Sequence, residues 1–207
     1  MASDAEILRQ AQATLAQAIN ELYPGLPIAR ESIYNLLGLV WGENKFGTTG
    51  DWQGSNNWGS VRCYRQDYGC VQHGDRDAGG NPVTVPFQRY PSQLEGAKGF
   101  LRTILKTQAE RDAVASGSAS DLSSAMYAAH YYTGTTGTDE QRIASYANLI
   151  RRGANTVKAA LGSAASSFAP AQPEVSKTGL LLGALALGTG IWYLYPFKRK
   201  SRRVGRR

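Results

Sequence analysis

A run of 19 uncharged residues, 179–197 (GLLLGALALGTGIWYLYPF), constrains this chain more than any other feature. As a helix it reaches roughly 28 Å, close to the ~30 Å hydrocarbon core of a bilayer. Trp192, Tyr193 and Tyr195 crowd one end, where amphipathic rings favour the headgroup level, and seven Lys and Arg fill the last ten residues. Lys177 marks the other end. A buried core helix is the competing reading, but such helices are usually shorter and amphipathic. The pattern predicts a single-pass membrane protein with a C-terminal transmembrane helix at 179–197 and a basic tail at 198–207. Before them lie an Ala/Ser/Pro linker at 162–178 and a folded domain at 1–161.

Charge follows the same division. Residues 1–173 carry 15 Lys and Arg against 15 Asp and Glu, whereas residues 174–207 carry 8 against 1. The net charge of +7 therefore belongs to the tail, and a basic globular domain is excluded. The tail has three readings: a topology signal, a contact for anionic lipid headgroups, or a contact for nucleic acid. Gly179 and Gly183 form a GxxxG pair, a weak signal for helix-mediated self-association. The N-terminal MASDAEILRQ has no basic segment followed by an apolar one, so no signal peptide is expected. A virion membrane or a bacterial inner membrane suits this combination.

The domain reads as α+β: mostly helical, with one inserted β-hairpin. Ser3 and Glu6 form a capping box ahead of a first helix that Pro24, Gly25 and Pro27 end. A second helix runs from about 28 to 42, with Ile33, Leu36, Leu37, Val40 and Trp41 as its apolar face. Then the composition changes sharply. GTTGDWQGSNNWGS (47–60) is loop material, and 61–90 holds short strand-like runs around the turn DAGGNP. Pro91 and Ser92 open a third helix bearing Leu94, Ala97, Phe100, Leu101, Ile104 and Leu105. Two more helices are expected near 121–132 and 139–161.

Glu43 closes an apolar helix and opens a loop rich in glycine and aromatics. Desolvation there raises a carboxyl pKa and readies it to donate a proton; an ordinary helix-terminal Glu is the plain alternative. Around it the chain resembles the lysozyme-like peptidoglycan hydrolases, closest to the glucosaminidase family of flagellar and autolysin-type enzymes. The residues that carry the likeness are Glu43, Asn56-Asn57-Trp58-Gly59, Phe87-Gln88-Arg89-Tyr90, Glu95-Gly96-Ala97, Tyr131-Tyr132-Thr133, Asp139 and Tyr146, over about 28–152. The resemblance implies a lysozyme-like domain with Glu43 as general acid. It further implies that Asn56 and Trp58 shape a sugar groove and that a tyrosine, Tyr131 or Tyr132, lies near the acid. We expect the catalytic role at Tyr132 and substrate contact at Tyr131. Phe87 and Tyr90 would pack the hairpin on the following helix. Asn44 stands where the family commonly has Ser, and Cys63 and Cys70 are additions to its pattern.

Glycoside hydrolysis usually takes two carboxyls. Asp75 and Asp77, two apart on the first arm of the hairpin, would share a strand face; solvated turn acids are the plain alternative, and Asp51 is a weaker candidate. Without a second carboxylate, the substrate's acetamido group or its 6-hydroxyl would attack, the latter giving the anhydro product of a lytic transglycosylase. Trp52 and Trp58, in loops, suit pyranose stacking, as do Tyr64 and Tyr68 nearby; Trp41 suits the core. Cys63 and Cys70 admit a local disulfide or two thiols, and with His73 a thin zinc pattern without a fourth ligand. His130 is expected on a helix as a structural partner. No metal site and no cofactor are expected. The whole predicts a membrane-anchored glycosidase that cuts the β-1,4 backbone of peptidoglycan strands, opening the wall locally during bacteriophage infection. A lytic transglycosylase and a non-catalytic glycan-binding or structural virion protein are the alternatives.

Overall fold

The structure, a computed structural model, describes residues 3–48, 50–64, 67–76, 81–132 and 137–162. The linker from 163 onward, the uncharged span 179–197 and the basic tail lie outside these residues, as does Asp77. Among the described residues no helix is long and apolar enough to cross a membrane.

The domain is mostly helical with one two-stranded antiparallel hairpin. Helix α1 (Asp4–Leu22) starts at the predicted capping box, with Ser3 and Glu6 satisfying each other's backbone N–H. Helix α2 (Arg30–Asn44) is buried along nearly its whole length, because its apolar residues lie on more than one face. Ile33, Leu36, Leu37, Leu39 and Val40 are all at most 2 % exposed, so truncating one to Ala should cost about 2–5 kcal/mol.

The hairpin pairs β1 (Cys70–Arg76) with β2 (Pro82–Gln88), Cys70 opposite Gln88 and Asp75 opposite Val83. The Cys63–Cys70 disulfide ties the incoming loop to the start of β1, and Arg62 bridges to Phe87 on β2. Helix α3 (Gln93–Ile104) is capped by Ser92, as its sequence signalled. It buries Ala97, Phe100, Leu101 and Ile104 against the same core as α1 and α2.

Between α3 and the last helix there are two helices where one was expected. Helix α4 (Gln108–Ser116) is short and weakly apolar, burying Ala113 and Val114, and its Thr107–Glu110 capping box is its clearest sequence signal. Helix α5 (Ala119–Ala128) stops earlier than 132, because His130 takes a left-handed conformation (φ +56°) that breaks the helical path. His130, Tyr131 and Tyr132 thus lie beyond a helix end rather than on a helix. Helix α6 (Asp139–Leu161) begins with a Thr138–Gln141 capping box and packs along α2. The two helices cross where Gly38 faces Gly153 and Ala154, and a Cβ on Gly38 would overlap the Ala154 backbone.

Candidate active site

Crossing α6 over the end of α2 brings Glu43 beside three hydroxyls. Tyr146, in the second turn of α6, donates to Glu43 Oε1 at 2.7 Å. The Tyr131 hydroxyl is shared between the Gly59 carbonyl and Glu43 Oε2, the latter at 3.5 Å. Ser60 supplies a third hydrogen bond. Burial raises the Glu43 pKa above its ordinary value of 4.5, against the opposing pull of the bonds from Tyr146, Ser60 and Tyr131. Desolvation of the charged form therefore outweighs the donors. Burial and the nearby Glu43 carboxyl hold Tyr131 and Tyr146 well above the usual phenol range, so both remain protonated.

Backbone strain gathers around this carboxyl. Lys45 and Phe46 just after it, and Ser60 and His130 beside it, have positive φ without being glycine, a conformation that costs of order 1–3 kcal/mol each. Rigid packing holds it. Asn44 is buried and its Nδ2 donates to the Asn57 carbonyl at 2.8 Å. Asn57, fully buried, ties Val61 to Gln88 through both ends of its amide. Gln93 joins Trp58, Asn56 and Phe46.

Glu43 opens into a cleft of about 730 Å³. Its lining draws on the hairpin (Gly74, Asp75, Phe87), the preceding loops (Trp52, Ser60, Arg62, Tyr64), the end of α3 (Arg102, Thr103) with Lys106 in the bend beyond it, and the turn after α5 (His130, Tyr131, Tyr132). Asp75 shares this cleft with Glu43 and is ion-paired to Arg62 at 2.7 Å. Asp51 belongs to the Gly50–Trp52 turn.

The sequence-predicted residues divide on this geometry. Glu43, Asp75, Trp52, Tyr131 and Tyr132 come together in the cleft. Trp52 is braced by His73, whose ring stacks on it at 3.9 Å and 8°. Tyr131, not Tyr132, touches the carboxyl; Tyr132 stacks on Tyr146 at 3.7 Å and bonds Ser123. The direct catalytic contact expected for Tyr132 is therefore corrected: its ring supports Tyr146 from behind. Trp58 is corrected as well. It is 1 % exposed, packed on Phe46 at 4.7 Å, and offers no face to a sugar. Asn56 spends its amide on the Tyr90 carbonyl and Gln93 rather than on the cleft. Tyr64, 57 % exposed, joins Trp52 on the cleft lining. The zinc arrangement does not form, since Cys63 and Cys70 are joined and His73 lies against Trp52. Among the described residues no cluster of His, Cys, Asp or Glu could hold a metal ion.

Sequence reasoning passed over Ser60, Arg62 and the direct contact of Tyr146 with the acid. Tyr146 carried one signal, its place in the family likeness. Nothing local marks Ser60, whose role comes from the turn that aims it.

No protein-family model and no curated protein matches the chain. Among solved structures it is similar to the catalytic domain of the autolysin Auto from Listeria monocytogenes. The two share 13 % identity and a TM-score of 0.48, over 78 % of this chain and 88 % of that one.

Proposed function

We propose that the domain is a glycosidase that cuts the β-1,4 backbone of peptidoglycan, with Glu43 as its general acid. The observation that carries the reading is a carboxyl with a raised pKa, held by two protonated tyrosines at the base of an aromatic-lined cleft. In the step, the Glu43 proton passes to the glycosidic oxygen as the bond to C1 breaks. Water adds its hydroxide to C1, and its remaining proton returns to solvent or to the second carboxylate. Asp75 is the described candidate for that second role, and Asp77 stays a candidate from sequence. Trp52 and Tyr64 would stack the sugars, Tyr131 would position the acid beside them, and Tyr132 would act through Tyr146.

Glu43→Gln should abolish clearing of a cell-wall gel by the full chain, with a loss of about 10²–10⁴ in rate. A variant that clears as well as wild type overturns the assignment. The ion pair of Asp75 with Arg62 favours one second reading. A carboxylate so engaged leaves attack to the sugar's own 6-hydroxyl, as in a lytic transglycosylase. Product mass separates the two, because the anhydro end is one water lighter. Asp75→Asn should cost about 10²-fold or more if Asp75 activates water, and much less if it does not.

The proposal extends to the C-terminus on sequence grounds alone. Residues 179–197 would anchor the enzyme in a virion or bacterial inner membrane, with the tail on anionic lipid and open to nucleic acid, and with helix self-association through GxxxG. The linker would give the domain reach to open the wall during infection.

A further inference from the structure

Five Asp, Glu, Lys and Arg side chains line the described cleft: Glu43, Asp75, Arg62, Arg102 and Lys106. Asp75 and Arg62 answer each other, and Glu43 is held by tyrosines. Arg102 and Lys106 are different. Arg102 stands in the last turn of α3 and Lys106 in the bend between α3 and α4; both are exposed, and neither side chain makes an ion pair or hydrogen bond among the described residues. Thr103, also on the lining, stands beside Arg102 in the last turn of α3 but spends its hydroxyl on the Gly99 carbonyl. The two cations therefore line the cleft without an ion-pair partner among the described residues.

We propose that Arg102 and Lys106 bind the carboxylates of the peptide stem carried by the glycan strand, making the cleft selective for stem-bearing over denuded strands. The inference rests on the glycosidase reading above. The sugars of a peptidoglycan backbone are neutral at their rings; the strand's negative charge lies in the peptides attached to alternate residues. A strand threaded past Glu43 must carry a stem out along one side of the cleft. A guanidinium and an ammonium on the same cleft lining can take one carboxylate by a forked hydrogen bond and a second by a point charge. Trp52 and Tyr64 carry no positive charge to match this feature.

The test uses the full chain with Arg102→Gln/Lys106→Gln, and a charge-keeping Arg102→Lys/Lys106→Arg exchange. Substrates are stem-bearing glycan strands and the same strands stripped of stems by an amidase. The readout is the ratio of kcat/KM on stem-bearing to that on stripped strands. The double Gln variant should lower this ratio about five- to tenfold, the sum expected for two partly exposed charge contacts, while the exchange variant keeps it within about twofold. A ratio unchanged by the Gln pair overturns the proposal. If wild type cleaves neither substrate, the glycosidase reading has failed, and the cation site is then judged by binding. Calorimetry with a synthetic acidic stem peptide supports the site if wild type binds and the Gln pair binds several-fold more weakly. Equal binding, or none by wild type, overturns it. Circular dichroism confirms that each variant is folded, as expected for exposed positions.

Discussion

At the scale of single residues, Glu43 ties the proposed catalysis to stability. Its folded pKa is raised, so the folded state holds its proton above the pH at which the unfolded chain releases it. Wherever the native state binds more protons, stability falls as pH rises. The Glu43 contribution is therefore intact below about 4.5, the ordinary value, and is lost as pH climbs through the raised folded value. Glu43→Gln removes this loss, and its melting temperature at neutral pH should equal or exceed that of wild type. A variant clearly less stable than wild type at neutral pH, and equally so at acidic pH, would contradict the burial argument. Tyr146→Phe tests the same carboxyl from the other side. Its hydrogen bond favours the ionised form, so losing it raises the Glu43 pKa further. The alkaline limb of the kcat/KM profile, which tracks protonated Glu43 in the free enzyme, should move to higher pH. Tyr132→Phe keeps the stacked ring behind Tyr146 and should leave that limb in place.

At the scale of elements, the crossing of α2 and α6 is the joint on which the site depends. It sets Tyr146 on Glu43, and it closes only because Gly38 and Gly153 bring two backbones together. Gly38→Ala places a methyl group into the Ala154 backbone, and the helices must separate. A loss of about 1–3 kcal/mol or more is expected, read by chemical denaturation, together with weakened activity as Tyr146 withdraws. The hairpin has its own fastener. Opening the Cys63–Cys70 bridge by Cys63→Ser/Cys70→Ser should cost about 2 kcal/mol for so short a loop and loosen Arg62 and Tyr64, which flank Cys63 on the cleft lining. KM should rise more than kcat falls, because the acid stands on the helices and not on the hairpin.

At the scale of the whole molecule, the buried core of the described residues runs from Leu8 to Leu161. A chain ending at residue 162 should therefore melt within a few degrees of the full chain by calorimetry. The same pair tests the proposed anchor. The full chain should co-sediment with anionic phospholipid vesicles while the shortened chain stays in the supernatant, and equal partitioning would remove the membrane reading. Neutral vesicles separate the two contributions, since the basic tail alone would lose its attraction and an inserted span would not.

Periodicity and caps made most of the helices legible: Ser3 and Ser92 each announce a start by a mechanism confined to one helical turn. The DAGGNP turn and its flanking runs announced the hairpin in the same local way. Glu43 stood out because a lone carboxyl at the junction of an apolar helix and an aromatic loop is a local anomaly. Helix α4 was lost because its stripe is too short to register, and the end of α5 because His130 adopts a left-handed conformation that its residue type seldom takes. Trp58 and Trp52 share a loop and a composition, yet one is core and the other lines the cleft. That division follows from which ring α3 and the hairpin happen to cover. Likewise, the chain alone could not choose between Tyr131 and Tyr132, since neighbours in sequence point apart once a turn is fixed. The sequence determined most of the elements and marked Glu43 as a candidate, through signals that act within a few residues. Tertiary structure alone decided the acid's company, because Tyr146, Ser60 and Tyr131 meet Glu43 only when α2, α6 and the loops between them pack.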